Sequence, residues 1–368
     1  MENRKVRIGI IGCGGIANGK HLPALRTVPE AEIVAFCDII EERALDARAK
    51  YGTPDCAVYT DYKELLKDES IEVVHVLTPN RMHSIITVDA LHAGKHVMCE
   101  KPMAINSEEA KKMLAAAKET GKKLTIGYQN RQTPESLYMK KLADDGVFGD
   151  IYYARATALR RRFVPTWGVF LNEKEQGGGS LIDIGTHALD LTLWIMNNYK
   201  PKYCCGQAFH KLNSLKPEEQ GNALSPWDPE KFTVEDSAFG FVVMENGATI
   251  NLESSWALNM LDTREATTQV CGTKAGGDMF SGVRINGIRN GRQYVENVNF
   301  ASGGVAFYNG LANESAPNAE AKRWIKSIIE DTEPFVLPEQ ALVVTQILEG
   351  IYISAKTGKA FYFDGSND

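Results

Sequence analysis

The sequence predicts an α/β chain of two domains: a doubly wound parallel sheet over residues 1–127, then an α+β domain over 128–368 with a large, open, mostly antiparallel sheet. Three observations carry this. Short β-rich runs alternate with helical segments up to about residue 127, hairpin signals replace them after Tyr128, and 368 residues exceed the ~250–300 at which a single hydrophobic core stops growing.

The first-domain strands are Val6–Ile11, Ile33–Asp38, Val73–Leu77, His96–Cys99 and Leu124–Ile126, each an apolar run bounded by polar or glycine residues. Ser107 with Glu108 and Glu109 starts a helix that runs to Thr120, and Gly121 stands where a left-handed cap is expected. In the second domain Asn246-Gly247 marks a tight turn between the strands Ser237–Glu245 and Ala248–Trp256. The second of these alternates Ile250, Leu252, Ser254 and Trp256 against Asn251, Glu253 and Ser255, so one face lies on a core. Leu212 to Lys231, rich in Pro, Asn and charge, reads as a loop or lid. A helix is expected over about 338–356 from the spacing of Leu342, Val343, Ile347, Leu348 and Ile351, with Gly358 and a short strand after it.

A net charge of −6 argues against nucleic acid or an anionic membrane as a partner, because both need clustered Lys and Arg. The chain passes from Met-Glu-Asn-Arg-Lys straight into a strand, with no apolar leader, and nothing later reaches ~18 consecutive apolar residues. A cytoplasmic protein is the expectation. The seven cysteines form no C-x-x-C pair, so they read as buried free thiols and not as a disulfide or zinc framework.

The segment Ile8-Gly9-Ile10-Ile11-Gly12-Cys13-Gly14-Gly15-Ile16-Ala17 is a strand entering G-x-G-x-x-A and then a helix. Gly12 permits a tight turn, Gly14 lets backbone approach a pyrophosphate, Gly15 and Ile16 line the same loop, and Ala17 allows close helix–strand packing. Asp38, about 20 residues on at the end of the next strand, suits the adenosine ribose hydroxyls. Ile39 and Ile40 follow it in place of an Arg, so NAD is favoured over NADP as cofactor. Thr78, Asn80 and His83, after the third strand, are further cofactor-facing candidates, with helix capping as the plainer reading of Thr78 and Asn80.

Two groups of residues carry chemistry. Glu100-Lys101-Pro102 closes the fourth strand at the carboxyl edge of the sheet, where a nicotinamide is expected, and Pro102 restricts the backbone of Lys101. In the second domain Gly177-Gly178-Gly179-Ser180 runs into a helix bearing Asp183, His187 and Asp190 on one face, with Gly185 leaving a turn bare for an approaching ring. A metal lacks an obvious third or fourth ligand, so none is expected. With reference pKa values of ~6.5 for histidine and ~10.4 for lysine, His187 is the general base, and Lys101 orients and polarises the reacting oxygen.

On Gly12-x-Gly14-x-x-Ala17, Glu100-Lys101-Pro102 and Asp183-x-x-x-His187, the chain resembles the Gfo/Idh/MocA oxidoreductases. The resemblance implies a Rossmann domain for NAD or NADP, with Glu100 and Lys101 at the cofactor, and a C-terminal substrate domain that often forms the interface of a homo-oligomer. It also implies Lys101, Asp183 and His187 as the catalytic residues, and a pyranose-like alcohol as substrate. The stretch from Leu159 to Gly168 is similar to members acting on glucosides, which makes Arg160, Arg162 and Trp167 substrate-binding candidates, with Tyr128, Asn130 and Asp183 beside them. Oxidation of a glycoside at C3 is the favoured reaction. The alternatives are an NAD-dependent glycosidase working through transient oxidation, an inositol dehydrogenase, and an NAD-binding sensor without turnover. Both chemical groups are expected to converge on the nicotinamide ring.

Overall fold

A computed structural model describes residues 4–300 and 314–367. Its contacts divide the chain into two units.

The first unit holds six parallel strands, β1 (Val6–Ile11), β2 (Ala31–Cys37), β3 (Ala57–Tyr59), β4 (Val73–Val76), β5 (His96–Cys99) and β6 (Leu124–Ile126). Their order is β3-β2-β1-β4-β5-β6. The order reverses between β1 and β4, the crevice where open α/β sheets bind ligands. Fully parallel strands are covered on both faces, which explains why β1 and β4 read as continuous apolar runs. The helix Ser107–Thr120 forms as expected, with Asn106 accepting from the Glu109 amide and Gly121 left-handed at φ +65°.

One boundary expectation is corrected. Glu314–Leu342 belongs to the first unit, although the sequence reading placed it in the domain spanning 128–368. The helix Ala316–Ile329 buries Trp324, Ile325 and Ile328 in the core that holds Val6, Ile8, Leu22 and Leu25. Further on, Thr125 on β6 donates its hydroxyl to the carbonyl of Val336. The helix expected over 338–356 is found at Pro338–Thr357, and the division between units falls inside it, after Leu342.

The second unit takes up at Asn130 and again at Val343. Its nine strands are β7 (Ile151–Leu159), β8 (Pro201–Phe209), β9 (Ser237–Met244), β10 (Thr249–Ser255), β11 (Thr267–Gly272), β12 (Ala275–Asp278), β13 (Val283–Arg289), β14 (Arg292–Val298) and β15 (Phe361–Tyr362). They lie in the order β14-β13-β12-β11-β7-β10-β9-β8-β15, antiparallel except for the central β7–β10 pair. The β9–β10 hairpin turns on Asn246-Gly247, with Gly247 at φ +85°. Ala154, Ala156 and Ala158 of β7 are fully buried, and these short side chains let the apolar helix Thr186–Met196 lie close on the sheet.

Candidate active site

In the first unit the glycine loop follows β1 at the switch point. Gly12 has φ +95°, and a Cβ there would overlap the carbonyl of Leu77, so only glycine fits. Gly14 and Gly15 face open space, with no other heavy atom within 4 Å of an added Cβ. That is room for a pyrophosphate, at the start of the helical run that continues through Ala17–His21 and Leu22–Leu25. Asn18, which the sequence reading passed over, holds the loop by donating to the carbonyls of Cys13 and Gly14 at 2.9 and 3.0 Å.

The Asp38 carboxylate accepts from the Cys13 amide and from the Ile40 amide, both at 2.9 Å. Each oxygen keeps acceptor capacity for a ribose hydroxyl. These residues fit a dinucleotide. Ile16 is 41 % exposed beside the loop. After β4 the helix Asn80–His92 has Pro79 at its cap, with Thr78 just before it and Asn80 as its first residue.

Two cofactor candidates serve other purposes. His83 is 1 % exposed, and its ring nitrogens lie 2.8 Å from the Pro102 carbonyl and 2.9 Å from that of Thr78. Burial depresses its pKa. His83 therefore ties the Lys101-Pro102 loop to the loop after β4, and no ring nitrogen is left to turn outward.

Glu100 is buried in a charged cluster, where Lys20 and His21 reach one carboxylate oxygen at 2.6 and 2.7 Å and the Lys101 amide donates to the other at 3.0 Å. Burial alone would raise its pKa, but Lys20 and His21 overcome this and hold it well below the usual range. Lys20 also pairs with Glu320 at 2.9 Å, and His21 meets His75 through their Nδ1 atoms at 3.2 Å. Glu100 supports the backbone of Lys101 from beneath. The peptide bond between Lys101 and Pro102 is cis.

In the second unit a π-helical turn, Leu181–Gly185, leads into the α-helix Thr186–Met196. Asp183 lies on the π turn, His187 on the first α turn, and both are half-buried. The Trp256 indole donates to the Asp183 carboxylate at 2.9 Å. Two details of the expected polar face are corrected. Gly185 is buried, and its missing Cβ makes room for Ser254 of β10 and for Leu181, so its bareness serves helix–sheet packing. Asp190 is 1 % exposed and takes the Arg131 guanidinium on both carboxylate oxygens, the Nε contact at 2.9 Å. Asp190 therefore faces the interior. Among the described residues, no group of three His, Cys, Asp or Glu side chains is gathered as a metal would need.

The remaining substrate candidates divide. Trp167 is 51 % exposed and edge-on to Phe170. Arg160 pairs with Glu265 through two nitrogens and feels the field of Asp183. Arg162 spends its guanidinium on the Gln220 and Arg161 carbonyls and on Asn259, so it holds loops together. The stretch expected as a loop or lid is docked by the Arg162 bond to the Gln220 carbonyl and by Asn222 on Val164, and its own Trp227 is buried. Tyr128 is 1 % exposed at the end of the first unit, whereas Asn130 is half-buried on a short 3-10 turn in the second.

Family models match both parts of the chain: an oxidoreductase family with an NAD-binding Rossmann fold over residues 6–128, and a GFO/IDH/MocA C-terminal domain over 136–276. The chain belongs to the Gfo/Idh/MocA oxidoreductase family. Within it, a D-glucoside 3-dehydrogenase from Escherichia coli is 34 % identical over 97 % of each chain. An inositol 2-dehydrogenase/D-chiro-inositol 3-dehydrogenase from Lactiplantibacillus plantarum is 31 % identical over 54 % of each. A levoglucosan dehydrogenase solved with NADH and levoglucosan shares the fold at a TM-score of 0.83 and 21 % identity, covering 97 % of this chain and 99 % of its own.

As a Gfo/Idh/MocA member the protein is an NAD-binding oxidoreductase, which agrees with the fit of the glycine loop and Asp38. No helix among the described residues is long and apolar enough to cross a membrane. The supports of the site escaped the sequence reading. Lys20, His21, His75, Arg131, Glu320 and Trp256 are buried or paired with residues far away in the chain, and local sequence does not announce their partners.

Proposed function

We propose that the protein oxidises the C3 hydroxyl of a glucose-type glycoside to a 3-keto glycoside, with NAD as hydride acceptor. The observation that carries this is the relationship over 97 % of both chains to a D-glucoside 3-dehydrogenase, in a chain that has Lys101, Asp183 and His187. NAD held by the glycine loop and Asp38 would supply the hydride acceptor for the carbinol carbon.

His187 removes the hydroxyl proton, so alcohol and oxidised cofactor become ketone, reduced cofactor and one proton. The Lys101 ammonium donates to the same oxygen and stabilises the negative charge that develops as hydride departs. Asp183, fixed by Trp256, accepts from a neighbouring hydroxyl and orients the ring. Trp167 offers an apolar face to the pyranose or its aglycone, with Asn130 and Arg160 at the rim. The same reading makes the protein cytoplasmic. It also makes it a homo-oligomer, joined through the open face of the nine-stranded sheet, where Phe239, Phe241 and Glu253 line a recess of about 510 Å³.

Incubation with methyl β-D-glucoside, glucose or myo-inositol, each with and without added NAD, tests the reaction. Mass and NMR analysis is expected to find the 3-keto glycoside with the glycosidic bond intact. Release of free glucose without added NAD would establish the glycosidase instead, and preferential oxidation of myo-inositol would establish the inositol enzyme.

A further inference from the structure

The glycine run before Asp183 is packed against a buried acid that the reaction as described does not use. Glu235, on the loop before β9, is 3 % exposed. One carboxylate oxygen accepts from the Gly179 amide at 2.7 Å, and the other from the Leu181 amide at 2.9 Å and the Tyr352 hydroxyl at 2.9 Å. Tyr352 comes from the helix Pro338–Thr357, so two distant segments close on the first turn of the helical run bearing Asp183 and His187. The fit is close: a Cβ on Gly178 would collide with the Tyr352 ring and hydroxyl, and one on Gly179 with the Glu235 backbone carbonyl. From the sheet side, Ser254 donates to the Ser180 carbonyl at 2.7 Å. The Asp183 amide in turn donates to the Gly179 carbonyl at 3.0 Å. Asp183 is thus held through its backbone by the loop that Glu235 grips, and through its side chain by Trp256.

We infer that Glu235 and Tyr352 are positioning residues of the reaction: as an anion accepting three donors, Glu235 locks the 178–181 loop and so sets where Asp183 and His187 stand. This rests on the reading that Asp183 and His187 act on substrate. Protonation weakens this grip, because the neutral carboxyl is a poorer acceptor and brings a donor proton of its own among the three donors. Burial raises Glu235 to about 7, against the pull of the two amides and the phenol. Tyr352 is the titratable group facing it from the C-terminal helix, and burial with Glu235 beside it keeps that phenol protonated. Of the other acids nearby, Asp236 turns to the Leu212 amide and the Ser237 hydroxyl, and Asp183 to Trp256. Ionisation of the clamp therefore falls near neutral pH.

The test uses the full chain with Tyr352→Phe and, separately, Glu235→Gln. It follows the pH profile of kcat on methyl β-D-glucoside, NADH affinity by fluorescence, and amide exchange over 178–186. In Tyr352→Phe the acid limb of kcat is expected to move up by about one pH unit, because one hydrogen bond to the ionised form is gone. Exchange at 179–181 should rise about tenfold below neutral pH, with NADH affinity within about twofold. Glu235→Gln is expected to lower kcat by about ten- to a hundredfold with that limb flattened, since the amide cannot titrate and turns a donor toward one of the loop N–H groups. Unchanged exchange in Tyr352→Phe would overturn the clamp. Faster exchange with a kcat profile scaled down equally at every pH would overturn the positioning role and leave a structural one. If His187→Ala keeps full turnover, the assignment of the reacting residues has failed, and the exchange data still judge the clamp by themselves. Should Glu235→Gln fail to fold, Tyr352→Phe decides alone, because its ring still fills the same space.

Discussion

If His187 is the proton acceptor proposed above, replacing it with Ala should lower kcat by a factor of at least ~10² with little change in NADH affinity, measured by steady-state assay and fluorescence titration. Near-normal turnover would exclude histidine as the base. Asp190, three residues along the same helix, has a different task. Its bidentate pair with Arg131 is buried, so Asp190→Ala leaves a buried guanidinium uncompensated and should cost about 3–5 kcal/mol of stability, read from denaturant unfolding. Both residues lie in one stretch of sequence and look alike there. What separates them is burial and a partner 59 residues away, which no local spacing reveals. The same distance problem hid Glu235, whose partner Tyr352 is 117 residues off. The tight turn at Gly12 and the placing of Asp38 beside the glycine loop were legible because they follow from strand ends and adjacent glycines, which are local features.

The two glycine-led elements behave alike. Each enters its helix through a π turn, Ala17–His21 after Gly12-x-Gly14 and Leu181–Gly185 after Gly177-Gly178-Gly179. Such turns recur at functional sites because they re-aim side chains within a helix. The glycines differ in purpose, however. Gly14 and Gly15 look onto open space, whereas Gly178 and Gly179 are pressed against Tyr352 and Glu235. Sequence alone sees the same residue type in both loops. Of the parallel strands, β1, β5 and β6 were readable to the residue, but β3 has three half-buried residues and no apolar run to announce it.

The buried clamp also makes stability depend on pH. Glu235 stands at about 7 in the folded chain against ~4.3 unfolded, so between those values the folded state holds the extra proton. The cost of burying its charge outweighs the hydrogen bonds the anion accepts, so the stability tied to the protonated form is full below ~4.3 and is lost as pH rises to about 7, up to roughly 4 kcal/mol over that window, even as ionisation tightens the loop itself. Thermal melts of the parent should show this decline from pH 5 to 8, and Glu235→Gln should lack that part of it. An equal pH dependence in both proteins would show that the acid titrates normally.

At the scale of the whole molecule, two chain segments build each unit. Residues 314–342 return to the N-terminal core, and the strand Phe361–Tyr362 closes one edge of the nine-stranded sheet. The sequence reading drew one boundary near 127 because local patterns change once there; a later return to an earlier core leaves no local mark. The proposed homo-oligomer, joined through the open sheet face, belongs to this scale. Phe241→Glu is expected to shift the species seen by light scattering toward the monomer, because it puts a charge on a 38 % exposed aromatic of that face.

The central claim is that hydride leaves C3 of a glycoside for NAD. Methyl β-D-glucoside carrying deuterium at C3 alone tests it most directly, with the reduced cofactor isolated and weighed by mass spectrometry. The expected result is NADH one mass unit heavier, formed together with a 3-keto glycoside and slowed by a primary isotope effect. Unlabelled NADH from that substrate would mean that another carbon is oxidised, and the account would be wrong.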